Sequence, residues 1–293
     1  MARRHLTDSS TFPLPVDLRP EGCDIIVGDC RHVLPLLEPG HFRCCVTSPP
    51  YWGLRDYGVQ GQIGAEQTIA EYVENLVTVF RQVRRVLSDD GTLWLNIGDS
   101  YTSGNRAWRD PDDKNPARAM DYRPPTPEGL KPKDMIGVPW RVAFALQEDG
   151  WYLRSDIVWY KPNCQPESVK DRPTRAHEYI FLFSKSERYY YNFEAVMEPA
   201  NSHGGLRNRR TVWSINTEAF PGAHFATFPP KLVEPCLMAG TESGDLVLDP
   251  FFGSGTVGEV CMQLRRRFVG IEMKEEYAAL ARRRLRWAEA PNG

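Results

Sequence analysis

The stretch LDPFFGSGTVG, residues 248–258, constrains the fold more than any other. It joins an apolar run, DLVLDP, to a segment carrying Val257, Val260, Cys261 and Leu264 at helical spacing. A second apolar run, RFVGIE, follows at once. Strand, tight loop, helix and strand in that order make a βαβ unit, whose two strands lie parallel in one sheet. Gly253, Gly255 and Gly258 satisfy G-x-G-x-x-G, and Glu272 ends the next strand nineteen residues after Gly253. This is the outline of a nucleotide-type site, in which glycines permit close backbone approach and the acid takes ribose hydroxyls.

The same rhythm runs through the rest of the chain. CDIIVGDC and RCCVTSPP contain continuous apolar runs, as strands covered on both faces do. Thr68 and Glu71 form a capping box ahead of Ile69, Tyr72, Val73, Leu76, Phe80, Val83 and Leu87, which share one helical face. Asp89-Asp90-Gly91 is expected to end that helix before the strand TLWLNI. PWRVAFALQED and KLVEPCLMA read as helices, and WYLRSDIVWY and EYIFLFSK as strands. An amphipathic helix closes the chain. Two irregular stretches, 100–135 and 199–224, interrupt the pattern, and loops of that length in a compact domain are commonly functional.

The expectation is an α/β fold with one doubly wound, mostly parallel sheet. It occupies 23–293 as a single domain, behind a flexible lead-in at 1–22. The chain has 293 residues, 41% of them hydrophobic, enough for a large core. A formal net charge of −2 excludes a globally basic nucleic-acid binder, so a DNA partner needs a local basic face. Seven scattered cysteines with no C-x-x-C, and no histidine pair at metal spacing, point to a reducing compartment, buried thiols and no bound metal. The N-terminal MARRHLTDSS has no apolar stretch behind its arginines, and no run is long enough to span a bilayer. An intracellular protein without a membrane partner follows as an expectation.

The glycine loop alone suggests NAD. Asp249 argues otherwise: a carboxylate at the strand tip repels a pyrophosphate and suits a cation. S-adenosylmethionine (AdoMet) carries a sulfonium and an ammonium and no phosphate, so Asp249 and Glu272 together favour it. Phe251 and Phe252 divide evenly between ligand packing and plain core. Asp29, in GDC, is first of all a helix N-cap; with AdoMet present, it also stands where a carboxylate accepts from the adenine amino group.

TSPPYW, residues 47–52, ends a neighbouring strand on the same sheet edge. Proline carries a carbonyl and no N–H, so Pro49 and Pro50 give a stiff turn with fixed acceptors. The Ser48 hydroxyl and the Pro49 carbonyl suit an NH2 group. An exocyclic base amine is a poor nucleophile, because its lone pair is conjugated into the ring. Two acceptors on its hydrogens free that lone pair, and positioning does the rest. Tyr51 can stack on the base, Trp52 can line the pocket, and a base in a duplex has to be flipped out to reach them.

TSPPYW, LDPFFGSGT and FVGIE together resemble the DNA amino-methyltransferases of bacteria and phages. The catalytic motif precedes the AdoMet loop, as in their circularly permuted beta group. The likeness runs from about Asp24 to Leu285 and takes in GTLWLNIGDSY, IVWYKPN, AHEYIFLFSK and HFATFPPKLVEPC. It implies the Rossmann-like sheet of class I AdoMet-dependent methyltransferases, with AdoMet as donor and S-adenosylhomocysteine as product. Matched to the family, Ser48, Pro49, Pro50 and Tyr51 are catalytic. Asp29, Asp249, Phe251, Gly253, Ser254, Gly255, Thr256 and Glu272 hold AdoMet, and Phe225 and Thr227 lie in the segment closing over its methionine end. A leading serine is usual for cytosine N4, whereas adenine N6 members more often carry Asp or Asn.

The resemblance further implies double-stranded DNA as partner and the cytoplasm of a bacterial, archaeal or phage-infected cell. Members of the family often pair as homodimers, and the sequence leaves open a companion restriction endonuclease or an orphan or phage role. The two inserts fall where target-recognition loops lie. Arg207, Arg209, Arg210 and Trp213 are candidate DNA contacts beside Trp52, with Arg106, Trp108 and Arg109 behind them, and a solvated basic loop is the plain alternative. Cys236 is set aside as a C5-cytosine nucleophile, because it lies inside an apolar helix. The rivals are methylation of adenine N6, an NAD-dependent oxidoreductase, and a nucleic-acid-binding module that has lost catalysis.

Overall fold

The computed structural model describes residues 22–59, 61–102, 124–200, 204–218 and 228–289. The lead-in before Gly22, the stretch holding Arg106, Trp108 and Arg109, and the segment with Phe225 and Thr227 lie outside the described residues. The apolar runs are strands: β1 (Cys23–Val27), β2 (Phe42–Thr47), β3 (Leu87–Ile97), β4 (Tyr152–Tyr160), β5 (His177–Ser184), β9 (Leu246–Asp249) and β10 (Arg267–Glu272). Three short strands lie between them: β6 (Glu198–Pro199), β7 (Leu206–Arg207) and β8 (Val212–Ser214). The main sheet runs β1-β10-β9-β2-β3-β5-β4-β8. Only β5 is antiparallel to its neighbours in that sheet. Part of the second insert is therefore ordered, since β8 adds an edge strand and β6 pairs with β7.

Side chains alternate between the two faces, as strand geometry demands. Cys45, Leu246, Leu248, Val269 and Ile271 pack under α1 (Cys30–Val33), α2 (Ile69–Val86) and α3 (Val138–Glu148). Cys44, Val46, Val247 and Phe268 pack under α4 (Pro230–Gly240), α5 (Thr256–Gln263) and α6 (Glu275–Glu289). Helices on both faces of a mostly parallel sheet are the doubly wound arrangement. None of the described helices is long and apolar enough to cross a membrane.

The capping box of α2 forms in both directions: Glu71 N–H donates to Thr68 Oγ1 at 3.2 Å, and Thr68 N–H to Glu71 Oε2 at 3.1 Å. The helix ends earlier than its apolar pattern suggests. Leu87 turns extended and starts β3, pairing with Phe42, so it belongs to the sheet and not to the helix face. Asp89-Asp90-Gly91 is no terminating turn. It is an irregularity inside β3, where the register slips between Phe42 and Cys44. Asp90 is held there by Arg43 and by the Ser88 hydroxyl.

Phe252 proves to be core. It is 3% exposed and stacks on Phe268 with ring centroids 5.4 Å apart. Gly270 leaves the space: a Cβ there would lie 2.3 Å from the Phe252 ring. With Phe268 behind it the ring has nowhere to retreat. Gly270→Ala is expected to cost about 3 kcal/mol by overpacking, read as a lower urea midpoint at unchanged slope. An unchanged midpoint would contradict this packing.

Candidate active site

Seven parallel strands bring their C-terminal ends to one edge of the sheet, and β5 brings its N-terminal end there. The chemistry of the chain collects at that edge. Asp29 follows β1, Glu272 ends β10, Ser48 follows β2, Gly98 follows β3, Lys161 follows β4 and Glu178 opens β5. All six line one cavity of about 780 Å³, within the ordinary range for a small-molecule site. The crevice beyond the strand ends is where open α/β sheets bind ligands.

One wall is acidic. Asp29 caps α1, accepting from Arg31 N–H at 2.9 Å and from the Arg31 guanidinium at 2.5 and 3.0 Å. Burial alone would raise its carboxyl, but the Arg31 hydrogen bonds and charge outweigh burial and hold it below the usual range. It is thus both the N-cap and a cavity carboxylate. Glu272 accepts from Gly253 N–H at 2.8 Å and Lys274 N–H at 2.9 Å, and burial raises its pKa. The loop between β9 and α5 needs its glycines. Gly253 has φ 53° and Gly255 φ 82°, and a Cβ on Gly255 would press 3.0 Å from Ala281. Phe251 lines the cavity and meets Phe80 edge-on at 6.5 Å. Ser254 and Thr256 accept from Arg284 at 3.1 and 3.0 Å, which ties this loop to α6.

Asp249 stands apart from this lining. It is 2% exposed, takes the Thr47 hydroxyl at 2.6 Å and the Phe251 N–H at 3.1 Å, and burial pushes it up to about 7. Its carboxylate sits behind the cavity wall, beneath both the glycine loop and the end of β2.

The opposite wall begins with Ser48, Pro49, Pro50 and Tyr51. Tyr72 Oη donates to the Pro50 carbonyl at 2.8 Å, which pins the turn to α2. The Tyr51 hydroxyl is engaged as well: Ser48 Oγ donates to it at 3.4 Å, and it donates to Glu178 Oε2 at 2.8 Å. Asn96 Nδ2 donates to the same Oε2 at 3.2 Å, and Lys161 forms an ion pair with Glu178. Burial works to raise the Glu178 pKa, but Lys161, Tyr51 and Asn96 together lower it, so the carboxylate stays ionised. Gly98 makes room for this cluster, since a Cβ there would lie 2.7 Å from the Tyr51 ring.

Asn96, Lys161 and Glu178 are site residues that motif reading leaves without roles, although each lies in a stretch carrying the family resemblance. The loop after TSPPYW also closes the cavity. Its carbonyls at Tyr57 and Gly61 accept from Lys274 at 2.8 Å and Arg31 at 2.6 Å. The residues beside Glu272 and beside Asp29 thereby clamp the segment that leaves the serine-proline turn.

Two expected DNA contacts are corrected. Trp52 is 4% exposed and donates its indole N–H to the Glu66 carbonyl at 3.0 Å, so it is core beneath the loop and is not among the residues lining the cavity. Trp213 is 5% exposed, donates to the Arg210 carbonyl at 2.8 Å and lies under the Arg209 guanidinium at 4.6 Å. Each indole reads as a contact because it sits beside a functional motif or basic run, yet each finds a carbonyl inside. Arg207 pairs with Glu198 at 2.9 Å, and Arg210 lies 3.8 Å from the same carboxylate, lining a separate surface concavity. Cys236 is buried in α4 with its thiol pKa raised well above the ordinary value by burial, which is no setting for a thiolate nucleophile.

A family described as DNA methylase, of the N6/N4 type, matches residues 42–283. The Type II methyltransferase M.SmaI of Serratia marcescens is 66% identical over 281 residues, covering 96% of each chain. Among solved structures, PvuII DNA methyltransferase (cytosine-N4-specific) shares the fold with a TM-score of 0.68 at 23% identity, over 92% of this chain and 86% of that one. A putative DNA modification methylase of Thermus thermophilus, complexed with S-adenosyl-L-methionine, aligns with a TM-score of 0.65 at 23% identity, over 92% and 96%.

Proposed function

The chain belongs to the N6/N4 DNA methylase family, and within that family we propose that it methylates the exocyclic N4 of cytosine in duplex DNA. The observation that carries this reading is the sharing of one cavity by Asp29, Glu272 and the glycine loop on one side and Ser48-Pro49-Pro50-Tyr51 on the other. Family membership sets aside the oxidoreductase reading. AdoMet fits the first wall: two cavity carboxylates suit hydroxyl and amine donors, and a buried acid behind the glycine loop suits a cation and not a pyrophosphate. When bound, AdoMet supplies the methyl group.

Asp29, Phe251, Gly253 and Glu272 are the groups to hold it, with Gly255, Ser254 and Thr256 shaping the loop and Asp249 acting from behind. Phe225 and Thr227 complete the methionine end in this reading. On the other side the Ser48 hydroxyl and the Pro49 carbonyl hold the amine, and Tyr51 frames the base. The target cytosine has to leave the helix to reach them. Cytosine is favoured over adenine by the hydroxyl at position 48, where a carboxylate or amide goes with adenine, and the similar PvuII enzyme is cytosine-N4-specific.

The motif order is that of the beta group. Arg106, Trp108 and Arg109 remain candidate DNA contacts, as do Arg207, Arg209 and Arg210 once rearranged from their ion pairs. A homodimer, a partner endonuclease of the same specificity and action in the cytoplasm complete the proposal. The test is nucleoside analysis by mass spectrometry after incubation with AdoMet and mixed-sequence DNA. N4-methylcytosine is the expected product. N6-methyladenine would transfer the reading to the adenine branch, and no methylated base would end it.

A further inference from the structure

We propose that Tyr51 and Glu178 form a proton-exit chain from Ser48, with Glu178 as the terminal acceptor of the proton that the target amine sheds. The inference rests on the amine-methylation reading above and goes beyond it. It starts from a cluster that amine positioning does not require. Holding an NH2 group needs the Ser48 hydroxyl and a carbonyl, not a buried ionised acid behind them. Yet Ser48 Oγ points its proton at Tyr51 Oη (3.4 Å), and Tyr51 Oη points its own at Glu178 Oε2 (2.8 Å). Tyr51 Oη has two acceptors in reach, Glu178 Oε2 at 2.8 Å and Asn96 Oδ1 at 3.3 Å, and the shorter bond ends on the carboxylate. Asn96 Nδ2 fixes that carboxylate from the side, at 3.2 Å, while donating also to the Tyr179 carbonyl at 3.1 Å. Lys161 holds its other oxygen. The Tyr51 ring lies so close to Gly98 that a Cβ there would come within 2.7 Å of it.

The chemistry calls for such a sink. As the amine nitrogen bonds the methyl carbon, the electron pair of the old carbon–sulfur bond stays on the donor sulfur. The nitrogen becomes cationic and releases one proton, keeping the N–H pair. That proton passes to Ser48 Oγ, the serine proton to Tyr51 Oη, and the tyrosine proton to Glu178 Oε2, which becomes a neutral acid. Ser48 and Tyr51 end as they began. Glu178 then loses its proton to water at the cavity, where Lys161 favours the ionised form again. A phenol between a serine and a carboxylate can accept and donate at once, whereas a phenylalanine ring cannot.

The test uses single-turnover methylation of duplex DNA by the full-length protein. Tyr51→Phe removes one hydroxyl, and Glu178→Gln keeps the shape while losing the acceptor. Each is expected to slow the single turnover at least 30-fold while binding AdoMet within twofold of wild type by calorimetry. The double variant is expected to be no slower than the worse single variant, because both break one chain. In mixtures of light and heavy water the wild-type rate should curve with deuterium fraction, showing several protons in motion, and the Tyr51→Phe rate should lose that curvature. A merely structural role for these residues leaves the curvature intact. Wild-type rates in either variant, losses that multiply in the double variant, or a straight wild-type plot would overturn the chain. Failure of the underlying reading shows elsewhere, as a wild-type product other than N4-methylcytosine.

Discussion

Ser48→Ala is expected to slow methyl transfer by about 100-fold or more, roughly 2.7 kcal/mol at the transition state, while AdoMet binding stays within twofold. The size follows from what the hydroxyl does. In the proposed mechanism it is one of two acceptors that hold the amine with its lone pair free, and the loss of one such preorganised partner typically costs ~10²–10³ in rate. The selectivity follows from the architecture. Ser48 follows β2 in the serine-proline wall, whereas the candidate cofactor groups stand after β1, β9 and β10. Ser48 is small and partly exposed, and the Tyr51 hydroxyl that loses its 3.4 Å bond keeps the one to Glu178 at 2.8 Å, so the fold is expected to tolerate the change. Single-turnover kinetics and calorimetry on one preparation check both halves. Equal losses in binding and rate would show that the two walls are not separate.

The second large effect concerns Asp249. Burial raises its pKa to about 7 in the ligand-free protein. A cationic ligand beyond the glycine loop favours the ionised form and lowers that pKa, so binding expels a proton wherever Asp249 starts out protonated. AdoMet affinity is therefore expected to rise with pH up to about 7, approaching tenfold per unit, and to level off above it. Calorimetry in buffers of different ionisation enthalpy should find close to one proton released at pH 6 and little at pH 8. Asp249→Asn retains an acceptor for the Thr47 hydroxyl and the Phe251 N–H. It should bind AdoMet weakly and without this pH dependence. A pH-independent wild-type affinity would remove Asp249 from cation recognition. The same raised pKa works against the fold: it contributes nothing below about pH 4 and costs progressively more as pH climbs to about 7. Glu178 and Asp29, both lowered, contribute with the opposite sign.

Much of this site is legible in local sequence, for physical reasons. A glycine at φ 82° leaves a signature because no other residue fits cheaply there, and a capping box declares itself within four residues. Continuous apolar runs mark strands buried on both faces. What local pattern does not show is partnership across the sheet. Asn96, Lys161 and Glu178 meet only because β5 runs backwards between β3 and β4, bringing its first residues to the edge where the other strands end. Nothing near Glu178 in sequence announces Tyr51, 127 positions away. The end of α2 escapes local reading because Leu87 is apolar in either setting, and an Asp-Asp-Gly run serves a strand irregularity as well as a turn. Trp52 and Trp213 show the complementary error: proximity in sequence to a motif is not exposure.

In the proposed mechanism one cavity holds the donor against the serine-proline turn and a flipped cytosine. A crystal structure of the protein with S-adenosylhomocysteine and a duplex carrying its methylation site, mapped on modified DNA, tests this directly. The expected result places the adenosine between Asp29 and Glu272 and an extrahelical cytosine with N4 within about 3.2 Å of both Ser48 Oγ and the Pro49 carbonyl. A base left stacked in the duplex, an adenine in its place, or a cofactor bound away from the glycine loop would contradict it.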